Sequence, residues 1–227
     1  VAISLVRSQS ASSSTNGTTA SLTISVTPTA GNLLVAIVNN SAANSNGTPT
    51  GWTAGGTATD VSRVSTFWKI SNGAEASVSS TIGGTSAWNI HYMEFNSSLS
   101  GWTTAVTQSA TTVQQTATTN MTLASVTPSM PSAVMVSVIS YVGALGTPTW
   151  SNSYTTVAST ASTGTVCTLL SAYKLVTAGG AQTAGATNTV SAAYVGVNSA
   201  SIEPSQLPAG WRPMGARGQA VTRSTVW

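Results

Sequence analysis

The sequence predicts an all-β protein: two tandem β-sandwich-like or jelly-roll-like units from an internal duplication, followed by an extended C-terminal arm. Three observations lead there. Apolar and polar residues alternate with a period of two along several segments, a series of landmarks recurs about 100 residues later, and residues 199–227 change to a Pro/Gly-rich, arginine-bearing composition.

The alternation is the local signal. Leu22, Ile24 and Val26 alternate with Ser21, Thr23, Ser25 and Thr27, which places the apolar side chains on one face of a sheet. Val64, Trp68 and Ile70 share a face of a second segment, opposite Ser65 and Lys69. Trp88, Ile90 and Tyr92 share a face of a third, opposite Asn89 and His91. Leu33 to Val38 is apolar throughout, as expected of a central strand covered on both sides. Thr, Val and Ser dominate, Gly, Asn and Pro cluster between the runs, and no stretch has helical periodicity with a cap. Strands at this spacing predict about seven or eight per unit in a Greek-key arrangement.

The duplication is the long-range signal. Residues 18–38 lie against 118–138 without a gap, with seven of twenty-one positions identical, among them Ser25-Val26-Thr27-Pro28 and Ser125-Val126-Thr127-Pro128. Thr48-Pro49-Thr50 before Trp52 matches Thr147-Pro148-Thr149 before Trp150. Phe67-Trp68-Lys69-Ile70 matches Ala172-Tyr173-Lys174-Leu175, and Trp88–Phe95 matches Val190–Val197, with Tyr92 beside Tyr194. The order of landmarks is kept, which biased composition alone does not produce. The units are expected at 1–100 and 101–198. In the arm, 199–227, Pro204, Pro208 and Pro213 interrupt both helix and ladder, while Trp211 and Trp227 are isolated aromatics suited to docking on a neighbour.

Charge is scarce. Charged residues make up 5% of the 227, against about 25% in an ordinary soluble domain, while hydrophobic residues make up 41%. The polar surface must therefore be built from Ser, Thr, Asn and Gly, and such a surface costs little to desolvate against a neighbouring subunit. The net charge of +3 is concentrated late, with Arg212, Arg217 and Arg223 against Glu203 in the arm. Three dispersed arginines do not make a nucleic-acid patch. The longest apolar run, Leu33–Val38, is too short to span a membrane, and no charged-then-apolar leader opens the chain. The single cysteine, Cys167, excludes an internal disulfide and reads as a small core residue. Asn-X-Ser/Thr matches at Asn16, Asn46, Asn96 and Asn120 are what chance gives in so Asn/Ser/Thr-rich a chain.

The inventory for catalysis is short: His91, Cys167, and the carboxylates Asp60, Glu75, Glu94 and Glu203. His91 and Glu94, three apart on a strand, face opposite ways, and a lone strand histidine is ordinarily a surface or half-buried polar residue. The second unit has no carboxylate before Glu203, so a duplicated hydrolase would lack half its machinery. No catalytic residue, metal ligand or cofactor is expected, with calcium on Asp60 and neighbouring oxygens the one formal exception. Of the tryptophans, Trp52, Trp68, Trp88 and Trp150 read as core, and Trp102 as packed at the boundary between units.

Thr29-Ala30-Gly31-Asn32-Leu33-Leu34-Val35-Ala36-Ile37-Val38, with Gly51-Trp52-Thr53 and Phe67-Trp68-Lys69-Ile70, resembles a pattern of tailed-bacteriophage virion proteins, described as minor tail, fibre or head-decoration proteins. The resemblance covers most of the first unit and, through the repeat, the second, where Pro131-Ser132-Ala133 replaces Gly31-Asn32-Leu33. It implies a β-sandwich or jelly-roll protein on the virion exterior and assigns no catalytic or binding residue. The expected function is structural, with capsid decoration or cement ahead of a tail component. The expected partners are major capsid or tail subunits and further copies of the chain, engaged through Trp211, Arg212, Arg217, Arg223 and Trp227. The alternative is a carbohydrate-binding or adhesin module that stacks host surface glycan on an exposed Trp52, Trp102 or Trp150.

Overall fold

The computed structural model describes residues 3–98, 102, 106–129, 132–162 and 167–202. The arm residues Trp211, Arg212, Arg217, Arg223 and Trp227 lie outside them. The alternating segments are strands, and the described residues hold no helix. The first sheet is formed by β1 (Ile3–Thr23), β2 (Leu33–Asn40), β3 (Thr53–Thr59), β4 (Arg63–Ile70) and β5 (Ser77–Ser97). The second is formed by β6 (Val106–Thr122), β7 (Ala133–Val142), β8 (Thr149–Trp150), β9 (Thr155–Ala161), β10 (Cys167–Val176) and β11 (Gly185–Ile202). All pairings are antiparallel. The orders, β1-β5-β2-β4-β3 and β6-β11-β7-β10-β9 with β8 on β11, are the same path through equivalent strands.

The two sheets face each other. Leu33, Val35, Ile37, Val64, Trp68, Met93 and Phe95 of the first share one core with Val134, Val136, Val138, Leu169, Val195 and Val197 of the second. Trp102 is buried in that core, its backbone N–H donating to the Gly31 carbonyl at 2.8 Å, so this tryptophan is packed between the two sheets. Contacts run β1 to β9, β5 to β10, β4 to β11 and β3 to β6, with β2 and β7 at the centre. The contacts are reciprocal: β1 meets the counterpart of β3 and β3 that of β1, while β5 meets the counterpart of β4 and β4 that of β5, as about a two-fold axis through the centre.

The outer faces are covered by the chain itself. β1 and β5 pair along most of their length, but their register shifts at Ser13, Gly17 and Thr19, where the ribbon turns over the sheet. Its far end brings Ala20, Leu22, Val78 and Ile82, with Trp52 from the following turn, onto Leu34, Ala36, Val38, Phe67, Ile90 and Tyr92. In the second sheet Met121, Leu123, Trp150, Tyr154, Ala186 and Tyr194 form the corresponding outer core with Met135, Ile139 and Tyr141. This is why five strands stand where seven or eight are expected in the first unit: β1 and β5 each serve two layers without a Pro to divide them. Val26 differs from the simple alternation; the strand has ended at Thr23 and Val26 is exposed.

The register corrects two of the repeat alignments. Leu33, Val35 and Ile37 face the inter-sheet core, and so do Val134, Val136 and Val138, which is an offset of 101 rather than 100. One extra residue between Pro128 and β7 produces the slip, and without it every side chain of β7 would face the wrong way. In β5 and β11, Met93 lies opposite Val35 and Ser199 opposite Val136, so Tyr92 corresponds to Asn198 and not to Tyr194. That error of four residues preserves the facing, and the period of two cannot detect it.

Gly56 sets how closely the sheets approach at the β3–β6 side. A Cβ there would fall on Val197 Cγ1 and lie 3.0 Å from Ser109 Cβ. Neither is the free end of a flexible side chain, so Gly56→Ala should destabilise the protein by about 1–3 kcal/mol, read as a lowered urea midpoint with unchanged slope.

Candidate interaction sites

A polar seam crosses the otherwise apolar inter-sheet core. It begins where the apolar side chains of β2 give way to Asn39, which donates from Nδ2 to Ser140 Oγ at 2.9 Å. Asn89 donates to the Asn39 carbonyl oxygen (Oδ1) at 3.0 Å and to the Cys167 backbone carbonyl at 2.9 Å. Ser62 and Ser140 share a hydrogen bond of 2.9 Å. His91 lies between Ser171 Oγ at Nδ1 and Thr160 Oγ1 at Nε2, each at 2.7 Å, so a neutral ring donates at one nitrogen and accepts at the other. Its ring is fully enclosed, a correction to the expectation of a surface or half-buried histidine. The face opposite Trp88, Ile90 and Tyr92 is closed by the second sheet, which one unit's pattern cannot reveal.

Burial alone holds the His91 pKa down to about 3. Cys167 sits in the same seam, and burial pushes its thiol up against the lowering effect of hydrogen bonds from Ser162, Asn39 and Asn89. A buried, unionised thiol and a neutral, enclosed imidazole have no access to a substrate. The seam is built for cohesion between the sheets.

The carboxylates of the first unit are similarly committed. Glu94, on the opposite face from His91, forms an ion pair with Arg7 Nε at 2.7 Å and accepts from Asn32 Nδ2 at 2.6 Å and the Thr29 N–H at 2.9 Å, tying β1 and the turn before β2 to β5. Glu75 lies 3.0 Å from Lys69 Nζ and accepts from Ser71 Oγ and the Asn72 N–H. Burial would raise the Glu75 pKa, but those hydrogen bonds outweigh it and bring it down to about 2. Among the described residues no three His, Cys, Asp or Glu side chains gather where a metal could sit.

Four of the five described tryptophans are buried. Trp52 and Trp150 fill the two outer cores, Trp68 and Trp102 the central one, and Trp88 packs partly buried on the first outer core. Trp52, Trp102 and Trp150 are at most 9% exposed, so none offers a ring face for a sugar.

Lys174, which sequence reasoning used only as a repeat marker, is placed differently. Its Nζ lies 5.7 Å from the centre of the Tyr154 ring, at a shallow cleft of about 390 Å³ lined by Asn152, Ser153, Ala181, Gln182 and Thr183. No carboxylate among the described residues pairs with it. The signal was available in the repeat: Lys69 is followed by Glu75, whereas no acid follows Lys174 before Glu203.

The seam gives the protein a pH dependence of defined sign. His91 binds its proton far less readily folded than unfolded, so stability is full above about pH 6.5 and falls as the pH drops toward 3, by about 1.4 kcal/mol per unit. Glu75 adds its own loss only below about pH 4.5, because its folded pKa is depressed. Urea midpoints measured between pH 7 and pH 4.5 should show the decline in the native protein, and His91→Gln should flatten it.

No protein-family model, no curated protein and no solved structure matches this chain.

Proposed function

We propose that the chain is a non-enzymatic structural component of a tailed-phage virion, exposed on the particle exterior, with capsid decoration or cement ahead of a tail or fibre role. The observation that carries an assembly role is the pair of edge strands. β1 and β6 are long and border the two sheets, and Arg7 is the only charged residue in either. Soluble proteins ordinarily guard such edges with lysines or prolines, because unpaired N–H and C=O groups template association. Here they carry Ser, Thr and Gln, which suit a protein held against neighbours, including other copies of itself.

We further infer that each unit is a sandwich-like body derived by duplication of one ancestral segment. The shared strand order and the ribbons folded over both outer faces support this. In this reading the paired sheets supply rigid bulk, and the arm anchors the subunit. Trp211 and Trp227 would bury aromatic surface, while Arg212, Arg217 and Arg223 would pair with carboxylates of a capsid or tail neighbour. The adhesin alternative has lost its stacking platforms, since Trp52, Trp102 and Trp150 are enclosed.

A chain ending at residue 202, the last of β11, should keep the thermal unfolding of its sheets but fail to join particles or oligomers, as measured by co-sedimentation with particles and by light scattering after size exclusion. Incorporation of the truncated chain at the full-length level would reject the arm as the anchor.

A further inference from the structure

The two units treat their buried charges differently, and the difference points to a ligand. By register, Leu34 corresponds to Met135, so Arg7–Glu94 in the first unit corresponds to Gln108–Ala200 in the second. There both partners of the ion pair have become neutral together. Lys69 and Lys174 are likewise equivalent, lying opposite Leu34 and Met135. Here only the acid has gone. Where Glu75 stands in the loop after β4, the loop after β10 has Gly180, and the segment from Thr177 to Thr183 contains no carboxylate. Lys174 keeps its cation at a half-buried position over the Tyr154 ring, without the carboxylate that its counterpart Lys69 has.

The surroundings of Lys174 are also built differently. The second unit extends the chain after Trp150 into a tight turn, with the Tyr154 N–H donating to the Ser151 carbonyl at 3.3 Å. Both central residues, Asn152 at φ 58° and Ser153 at φ 63°, are left-handed, a conformation that serine seldom adopts. The first unit makes its corresponding turn with a glycine, Gly51. The strained turn is braced: Asn152 Nδ2 donates to the Thr183 carbonyl at 2.9 Å, which joins the two walls of the cleft. The braced turn thus stands beside a cation that has no carboxylate partner among the described residues.

We propose that the Lys174 cleft binds a carboxylate-bearing sugar unit of the uronic-acid type. The carboxylate takes the place that Glu75 occupies against Lys69. The hydroxyls of Ser153 and Thr183 and the amide oxygens of Asn152 and Gln182, whose nitrogens bond the Thr183 and Gly180 carbonyls, are the groups left for the sugar hydroxyls, and the cleft volume of about 390 Å³ admits a single ring. This site does not rest on the virion assignment; it would serve a free-standing adhesin as well as a particle component.

The test uses the full-length chain titrated with galacturonate, galactose, acetate and acetylglutamate amide, read by amide chemical shifts. Galacturonate should saturate a site that perturbs Asn152, Ser153, Gln182 and Thr183, with the other three probes at least about tenfold weaker. Lys174→Gln should weaken galacturonate by about 10- to 100-fold, the range for a hydrogen bond to a charged group. Ala181→Glu, which returns a carboxylate to the cleft wall, should do the same while leaving the melting temperature near that of the native chain. Absence of saturable binding overturns the proposal, as does binding indifferent to both substitutions. Equal binding of acetate or acetylglutamate amide would show a general carboxylate contact and reject the sugar.

Discussion

Everything else in this fold depends on the face-to-face packing of the two sheets. β2 and β7 lie at the centre, covered on one side by the opposing sheet and on the other by their own folded-over ribbons. That double burial lets a chain with so few charges keep a fixed structure. The apolar part of the interface, Val against Val and Leu, supplies most of the driving force but specifies alignment poorly, because β-branched surfaces can slide by a pair of residues at modest cost. The seam of Asn39, Asn89, His91, Ser140, Ser171 and Thr160 does not tolerate sliding. Each displaced donor or acceptor would be left unpaired in the interior at about 1–3 kcal/mol. Apolar burial holds the sheets together and the seam fixes where they sit.

The scarcity of charge follows from the same architecture. In four stacked layers nearly every inward position is remote from water, and an ion there needs a partner and further hydrogen bonds to be tolerable. The first unit meets that condition twice, with Arg7–Glu94 and Lys69–Glu75, each supported by backbone N–H groups of an adjacent turn. Both pairs fasten loops to strands, a role that a neutral hydrogen bond can also fill. The second unit uses Gln108 in this way, accepting from the Ser129 N–H at 3.2 Å.

Much of the fold was legible because it rests on side-chain period and on repeated landmarks. The central character of Leu33–Val38, the shared face of Trp88, Ile90 and Tyr92, and the core positions of Trp52, Trp68 and Trp150 all follow from local pattern, and all hold. What failed did so for identifiable reasons. The one-residue slip before β7 is invisible to a gapless match, since Ser125-Val126-Thr127-Pro128 anchors the alignment just before the extra residue. The four-residue slip in β11 survives because it respects the period of two. His91 and Asn89 read as outward-facing, since a pattern within one unit says nothing about a second sheet closing over it. Lys174 was hidden in plain view as a matched residue; its meaning lay in the acid that does not follow it.

That asymmetry bears on how such a chain divides its labour. The first unit pairs two of its cations, Arg7 and Lys69, within itself and supplies both histidine and asparagines to the seam, whereas Lys174 is the only charged residue among the described positions of the second. Once the shared sheet framework fixes β10 against β7, the loops after β8 and β10 are held by neutral hydrogen bonds, Gln182 to Val126 and Asn152 to Thr183, where the first unit uses the Glu75 clamp. They can diverge without loosening the core, as the turn at Asn152–Ser153 has done. The first sheet thus pairs Arg7 and Lys69 within itself, whereas Lys174 of the second has no carboxylate partner among the described residues. Packing the sheets face to face settles the fold centrally through the seam, whereas Lys174 and the Asn152–Ser153 turn lie with Tyr154 on the outer side of the second sheet.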